Sequence, residues 1–115
     1  MESTNKRKHP RLSVDIPVKI HLSGGDVVNA RFADLSISGA GIVYPMPADP
    51  GVMLVIQFQL FGDKDRYTIN VKAQVMHNFL QHNEYIIGVK FIGVSEKQRS
   101  RLISYLAYLR KLRTQ

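Results

Sequence analysis

Residues 12–22 have the sequence LSVDIPVKIHL, in which every second side chain is apolar. A period of two places those side chains on one face of an extended strand, with their mostly polar neighbours on the other face. The pattern therefore predicts a strand with one buried face. Pro17 interrupts it without a backbone N–H, which indicates an edge strand or a bulge at that point.

The same alternation returns five more times along the chain. The further predicted strands span about 27–35, 40–44, 52–60, 67–75 and 85–91, separated by short turn sequences. Glycine, proline, aspartate and asparagine dominate these turns. Six short strands with frequent turn signals predict an antiparallel barrel or sandwich.

The end of the chain changes to a helical period. Ser95, followed three positions later by Gln98, matches a capping box at a helix N-terminus. Leu102, Leu106 and Leu109 then share one helix face. We expect this helix to cover the mouth or an edge of the barrel, and a helix that binds a partner protein is the alternative.

The charge is concentrated at the two ends of the sequence. Residues 1–11 carry +3 and residues 96–115 carry +5 of the formal net charge of +7, while the stretch between them carries −1. A barrel that grips a nucleic-acid backbone should carry positive charge on its strands, so the distribution favours a small anion as ligand. The expected organisation is a flexible basic arm at 1–11, a barrel at 12–94 and a helix packed on it at 95–115.

Composition also limits the compartment. The sequence has no cysteine, so it offers no disulfide, thiol nucleophile or cysteine zinc site. Its N-terminal residues lack the apolar core of a secretory signal, and its longest apolar stretch, 52–61, is too short to span a bilayer. These features predict a cytoplasmic protein without a membrane span.

Signatures of an enzyme are missing from the sequence. The four histidines, at positions 9, 21, 77 and 82, do not have the spacing of a zinc site on a helix. Neither a glycine-rich phosphate loop nor a nucleophile elbow is present. We therefore expect a protein that is not an enzyme and binds no metal.

Two short polar motifs stand out against this background. RKHPR at 7–11 has two arginines four positions apart, and DLSISG at 34–39 ends the second predicted strand. Together they resemble the signature of the PilZ domain family, RxxxR followed by [D/N]xSxxG. The resemblance covers essentially the whole chain, including the GVKF sequence at 88–91 and the final helix. It implies a mainly β fold, a six-stranded antiparallel split β-barrel with a C-terminal α-helix and a flexible N-terminal arm.

The resemblance also implies a ligand, cyclic di-GMP, and no other cofactor. Arg7 and Arg11 would contact guanine O6 and N7 or a phosphate, since the guanidinium fork suits both. Asp34 would accept hydrogen bonds from the guanine N1–H and amino group. In a regular strand the hydroxyl of Ser36 would share the face of Asp34. Gly39 would provide either a positive φ or room for a base.

Four further residues are expected near the ligand: Lys6, Lys8, Ser38 and His77. Lys6 precedes the first motif arginine, at a position that in this family affects how many ligand molecules bind. His77 lies near the predicted end of the fifth strand, close to where family members often place an aromatic side chain that stacks on guanine.

Each motif also has a purely structural interpretation. The arginines could belong to a solvated arm, and Asp34 and Ser36 could cap a turn through bonds to nearby backbone. Phe32 and Leu35 are both apolar but have opposite parity in the strand. Either a bulge precedes the motif or both faces of the strand are partly covered.

The mechanism that the resemblance implies is ordering of the arm by the ligand. The arm would fold over cyclic di-GMP against the Asp34 strand and change the surface offered to an unidentified downstream protein. In related proteins the outputs include motility, pilus function, exopolysaccharide synthesis and virulence. One alternative is a basic barrel that binds nucleic acid, whose affinity would fall steeply with salt. Another is a PilZ-like adaptor that binds only proteins.

Overall fold

The fold follows the predicted alternation of strands. The structure is a computed structural model that describes residues 10–62 and 64–113. Its elements are β1 (Leu12–His21), β2 (Val27–Leu35), β3 (Gly39–Tyr44), β4 (Met53–Phe61), β5 (Arg66–Gln81), β6 (Glu84–Ile92) and α1 (Glu96–Arg113).

The six strands form one closed antiparallel barrel. Their order around it is β1-β2-β3-β6-β5-β4, and β4 returns to β1. That last pairing is short, because it involves only Lys19–His21 and Val55–Gln57. The predicted split antiparallel barrel with a C-terminal helix is confirmed.

Inward side chains of all six strands form the core. Successive residues of β1 and β4 alternate between an inner face, where the apolar side chains are buried or partly buried, and a largely exposed outer face. Phe32 and Phe58 meet edge to face at the centre, with ring centroids 4.8 Å apart. The outer face of the sheet therefore remains available for polar side chains and ligands.

A bulge explains the conflicting parity in β2. Phe32 and Leu35 are both buried, and the register with β3 shifts between Phe32 and Asp34. The extra residue reverses the alternation, so both apolar side chains reach the core while Asp34 stays at the surface. Of the two explanations open to the sequence, the bulge is confirmed.

The strand β5 is longer than predicted and contains a second bulge. The alternation suggested an end near Val75, but the strand continues to Gln81. The register with β6 shifts between Val75 and His77, which hides the continuation from a pattern of period two. The prediction that His77 lies at the strand end is therefore wrong. The turn to β6 is made by His82 and Asn83, both with positive φ.

The helix α1 begins with the predicted capping box and packs against the barrel core. Ser95 Oγ accepts the Gln98 N–H at 3.1 Å, and Gln98 Oε1 accepts the Ser95 N–H at 3.4 Å. Leu102, Tyr105 and Leu106 of α1 are buried in the hydrophobic core of the barrel. Within the described part of the chain, no helix combines the length and hydropathy needed to cross a membrane.

Candidate ligand-binding site

The two polar motifs meet on the outer face of the barrel. Antiparallel pairing of β1 with β2 places Ser13 opposite Asp34, which brings Arg11 beside the same carboxylate. Arg11 Nη1 donates to Asp34 Oδ1 at 2.8 Å. The two side chains retain 22% and 29% of their exposure, so the ion pair is accessible to a ligand.

Asp34 is held in place by a second donor. The N–H of Gly41, its neighbour on β3, donates to the same Oδ1 at 2.9 Å. The carboxylate lies over Gly41, where a Cβ atom would come within 2.7 Å of Oδ2. Among the residues that the structure describes, none donates a hydrogen bond to Oδ2. One carboxylate oxygen is therefore engaged, and the other can receive a donor.

A pair of glycines extends the site from Asp34 to His77. Gly41 pairs with Gly88 of β6, and Gly88 pairs with His77 of β5. The His77 imidazole lies over Gly88 as Asp34 lies over Gly41, because a Cβ on Gly88 would come within 2.4 Å of its Cε1. We call Gly41 and Gly88 the glycine shelf. Because these two residues have no side chains, Asp34 and His77 can lie directly over the backbone on one face of the sheet.

A depression of about 230 Å³ lies beside the shelf. It is lined by Arg11, Ser38, Gly39, Met76, His77, Gly88, Val89 and Lys90. Two of these side chains are cationic and none is a carboxylate, so the depression suits an anion. No cluster of three or more potential metal ligands occurs between residues 10 and 113, Asp63 aside.

Ser36 has a different place from the one expected. Because β2 ends at Leu35, Ser36 belongs to the turn and its side chain is only 1% exposed. Its hydroxyl donates to the Gly39 carbonyl at 3.1 Å and accepts the N–H groups of Ser38 and Gly39. The hydroxyl therefore closes the β2–β3 turn and does not share the face of Asp34.

Gly39 is required by the packing of β3 on β6. A Cβ there would lie 2.4 Å from the carbonyl oxygen of Val89. Its φ is not in the left-handed region, unlike that of Gly25 or Gly93. The space that its missing side chain provides is used by the neighbouring strand.

Of the remaining residues predicted near the ligand, two lie in the site and three fall outside the described residues. Ser38 and His77 line the depression. Lys6, Arg7 and Lys8 lie outside the described residues.

Sequence reasoning missed two residues of this surface. Lys90 lies opposite Gly39 and lines the depression, but only the β3–β6 register reveals this. Phe79 is 46% exposed, and its ring lies 6.0 Å from that of His77 with 30° between the planes. Phe79 was missed because the predicted strand ended before it; in the longer β5 it shares a face with His77.

Comparisons with known proteins agree with this fold. The chain is 24% identical over 102 residues to an uncharacterized protein of Aquifex aeolicus (strain VF5), and the match covers 88% of this chain and 48% of that protein. The chain thus spans about half the length of this curated relative.

Solved structures share the architecture at low identity. The Bacillus subtilis inhibitor of motility MotI/DgrA superposes with a TM-score of 0.81 at 14% identity, over 96% of this chain and 53% of that one. Escherichia coli YcgR in complex with c-di-GMP gives 0.80 at 18%, over 95% and 48%. The PilZ domain of YcgR with c-di-GMP gives 0.71 at 18%, over 95% of both chains.

The family assignment comes from the sequence of the chain itself. The family model described as PilZ domain matches residues 5–108, which include both polar motifs, all six strands and most of α1. The chain therefore belongs to the PilZ domain family.

Proposed function

We propose that this chain is a receptor for cyclic di-GMP, which it binds on the outer face of the barrel beside Asp34. The observation that carries the proposal is the 2.8 Å contact between Arg11 and Asp34, which unites the two motifs next to a cationic depression. YcgR, which shares the fold, is described in complex with this nucleotide.

Asp34 and Arg11 have complementary roles in the proposed complex. Asp34 Oδ1 is fixed by two donors, so Oδ2 can accept the N1–H or amino group of a guanine. Arg11 uses one N–H donor for the ion pair and has further donors for guanine O6 and N7 or for a phosphate. The acid thus presents the arginine while it binds the base.

Lys90 adds a second cation within the depression. A ligand with two phosphates is attracted by positive charge at two points. Arg11, just before β1, and Lys90, on β6, provide these two charges. Ser38, also in the lining, can donate from its hydroxyl to a phosphate oxygen.

The glycine shelf and its aromatic neighbours suit a planar base. Gly41 and Gly88 leave room for the Asp34 carboxylate and the His77 ring above the sheet, and His77 with Phe79 supplies exposed ring faces. Stacking on such rings contributes about 1–3 kcal/mol per base. We propose that one guanine of the ligand stacks at this end of the shelf.

The arm of residues 1–11 completes the proposed site. At about 230 Å³ the depression is smaller than the roughly 300–1,000 Å³ of a pocket that encloses a drug-sized ligand. Cyclic di-GMP would therefore lie across the surface, and Arg7 would cover it from the arm, with Lys6 and Lys8 beside it. Each charge-assisted bond, at about 1.5–3 kcal/mol, offsets the ordering of about one or two residues, at about 1–2 kcal/mol each. The arm would then lie ordered on the barrel of 12–94, to which the helix region of 95–115 also belongs. This ordering would present a new surface to a downstream protein.

Isothermal titration calorimetry with cyclic di-GMP tests the proposal. Wild-type chain should bind, and Arg11→Ala and Asp34→Ala should each lose at least about tenfold in affinity, since each removes a charge-assisted hydrogen bond. Circular dichroism should show the same barrel in all three proteins, because both side chains lie at the surface.

Matched controls come from a second ion pair of the barrel. Arg31 donates to Asp15 outside the depression, so Arg31→Ala and Asp15→Ala should bind like wild type. Unchanged affinity in Arg11→Ala or Asp34→Ala would contradict the site. No binding by the wild-type chain would favour an adaptor that contacts only proteins.

A further inference from the structure

The β1–β4 pairing that closes the barrel covers only part of the two strands. Their ladder contains only Lys19–His21 against Val55–Gln57. Before Lys19 on β1, and after Gln57 on β4, the facing edges have no strand partner in the ladder. Unpaired strand edges expose N–H and C=O groups that another chain can use.

The sequence of β1 explains why the ladder stops. Continuing the register past Lys19 and Gln57 would place Pro17 opposite Gln59, and proline has no N–H to donate. A register shift between Ser13 and Ile16 bends the strand further. The opening is therefore encoded in β1, while the β4 edge from Phe58 to Phe61 contains no proline.

The opening forms a groove of about 550 Å³, much larger than the depression at the ligand-binding site. Its apolar lining includes Ile16, Val18, Phe58 and Phe61. Polar lining comes from Asn29, Gln57, Gln59 and Thr68. We call this opening the β1–β4 groove.

The charge of the β1–β4 groove is positive. Lys19 and Arg31 line it, and no carboxylate does. Arg31 is engaged by Asp15, whereas Lys19 forms no ion pair with any residue of 10–62 or 64–113. An acidic group entering the groove would therefore meet an available ammonium.

We propose that the β1–β4 groove binds an extended, acidic segment of a partner protein by strand addition. The segment would pair with the free edge of β4, set an apolar side chain against the partly buried Ile16, and bring a carboxylate to Lys19. An unpaired strand edge suits a peptide ligand better than a nucleic acid, because a nucleic acid would need several cations along its backbone. The inference goes beyond nucleotide binding and does not depend on it.

Fluorescence polarisation with labelled peptides tests this groove on the full chain. The probe is a fluorescein-labelled nonapeptide of alternating valine and glutamate, and its counterpart has lysine in place of glutamate. The acidic peptide should bind and the basic peptide should not. Two further acidic peptides carry N-methyl groups, one on the odd-numbered and one on the even-numbered backbone nitrogens. One of them should bind at least tenfold more weakly than the unmethylated peptide, because a strand donates to its neighbour from every second residue.

Two charge reversals locate the binding. Lys19→Glu should weaken the acidic peptide at least fivefold, while Lys72→Glu, at an exposed lysine of β5 outside the groove, should match wild type. Lys19→Glu should still bind cyclic di-GMP, which separates this test from that of the proposed function. Absence of peptide binding, equal effects of the two reversals, or displacement of the peptide by oligothymidylate would each overturn the inference.

Discussion

Gly39 and Gly41 are two residues apart on β3, yet a side chain at each position would meet a different obstacle. At Gly39 the obstacle is the Val89 carbonyl oxygen, part of the β6 backbone. At Gly41 it is the carboxylate of Asp34, which can rotate away. The first glycine therefore supports the fold, and the second allows Asp34 to adopt the position from which it binds Arg11.

Substitution of these two glycines should separate stability from binding. Gly39→Ala should lower the free energy of unfolding by about 1–3 kcal/mol, as overpacking against backbone usually does. Gly41→Ala should lower the free energy of unfolding less than Gly39→Ala does. It should weaken cyclic di-GMP binding more than Gly39→Ala, because it displaces Asp34 from Arg11. Urea denaturation and calorimetric titration of both variants measure the two effects. Equal loss of stability with intact binding in both would refute this division.

At the residue scale the sequence predicted which motifs matter but not what each member does. The spacing of Arg11 and Asp34 suggested a shared site, and their contact is present. Ser36 belongs to the same motif, but its hydroxyl closes a turn. β2 ends at Leu35, as predicted, but the pattern does not show which backbone groups the Ser36 hydroxyl meets in the turn that follows.

Among the elements, α1 has the strongest local signal in the sequence. Its capping box was predicted from Ser95 and Gln98 and is present. Gln98 also donates to the Asn70 carbonyl at 3.0 Å, so the cap anchors the helix to β5. The start of α1 is therefore fixed both locally and by the barrel.

Ser95→Ala should destabilise the chain by about 0.5–2 kcal/mol, the usual cost of losing an N-cap side chain. Ser104→Ala is the matched control, since Ser104 is an exposed residue within the helix where alanine is the better helix former. Thermal or urea unfolding followed by circular dichroism compares the two. If Ser104→Ala destabilises as much as Ser95→Ala, the cap does not contribute as described.

Strand bounds were predictable where turn signals flank the strand. β2 has the predicted bounds, because its ends coincide with clear turn signals. β5 exceeds its predicted length, since the shift at Val75–His77 resets the alternation. Phe79 was missed for the same reason, although it shares an exposed face with His77.

At the scale of the whole molecule, strand order decides where the functional groups meet. Periodicity alone left a barrel and a sandwich equally open, and only the family resemblance distinguished them. The adjacency of β2, β3, β6 and β5 brings Asp34, the glycine shelf and His77 into one row. Long-range pairing of this kind has no local signal in a sequence.

The same order separates the two proposed surfaces. The nucleotide site lies on β2, β3, β6 and β5 near the start of β1, whereas the β1–β4 groove lies further along β1. β1 thus begins next to Arg11 and lines the groove further along, from Ile16 to Lys19. A nucleotide and a protein segment can therefore be bound by one barrel without competing for the same residues.

The central claim is the location of cyclic di-GMP on the outer face beside Asp34, and amide chemical-shift mapping tests it most directly. Titration of the ¹⁵N-labelled chain with cyclic di-GMP should give its largest shifts at Arg11, Gly41, Gly88 and Lys90, with small changes at Gln57 and Gln59. Shifts concentrated at Gln57 and Gln59, or no shifts at saturating nucleotide, would contradict the account.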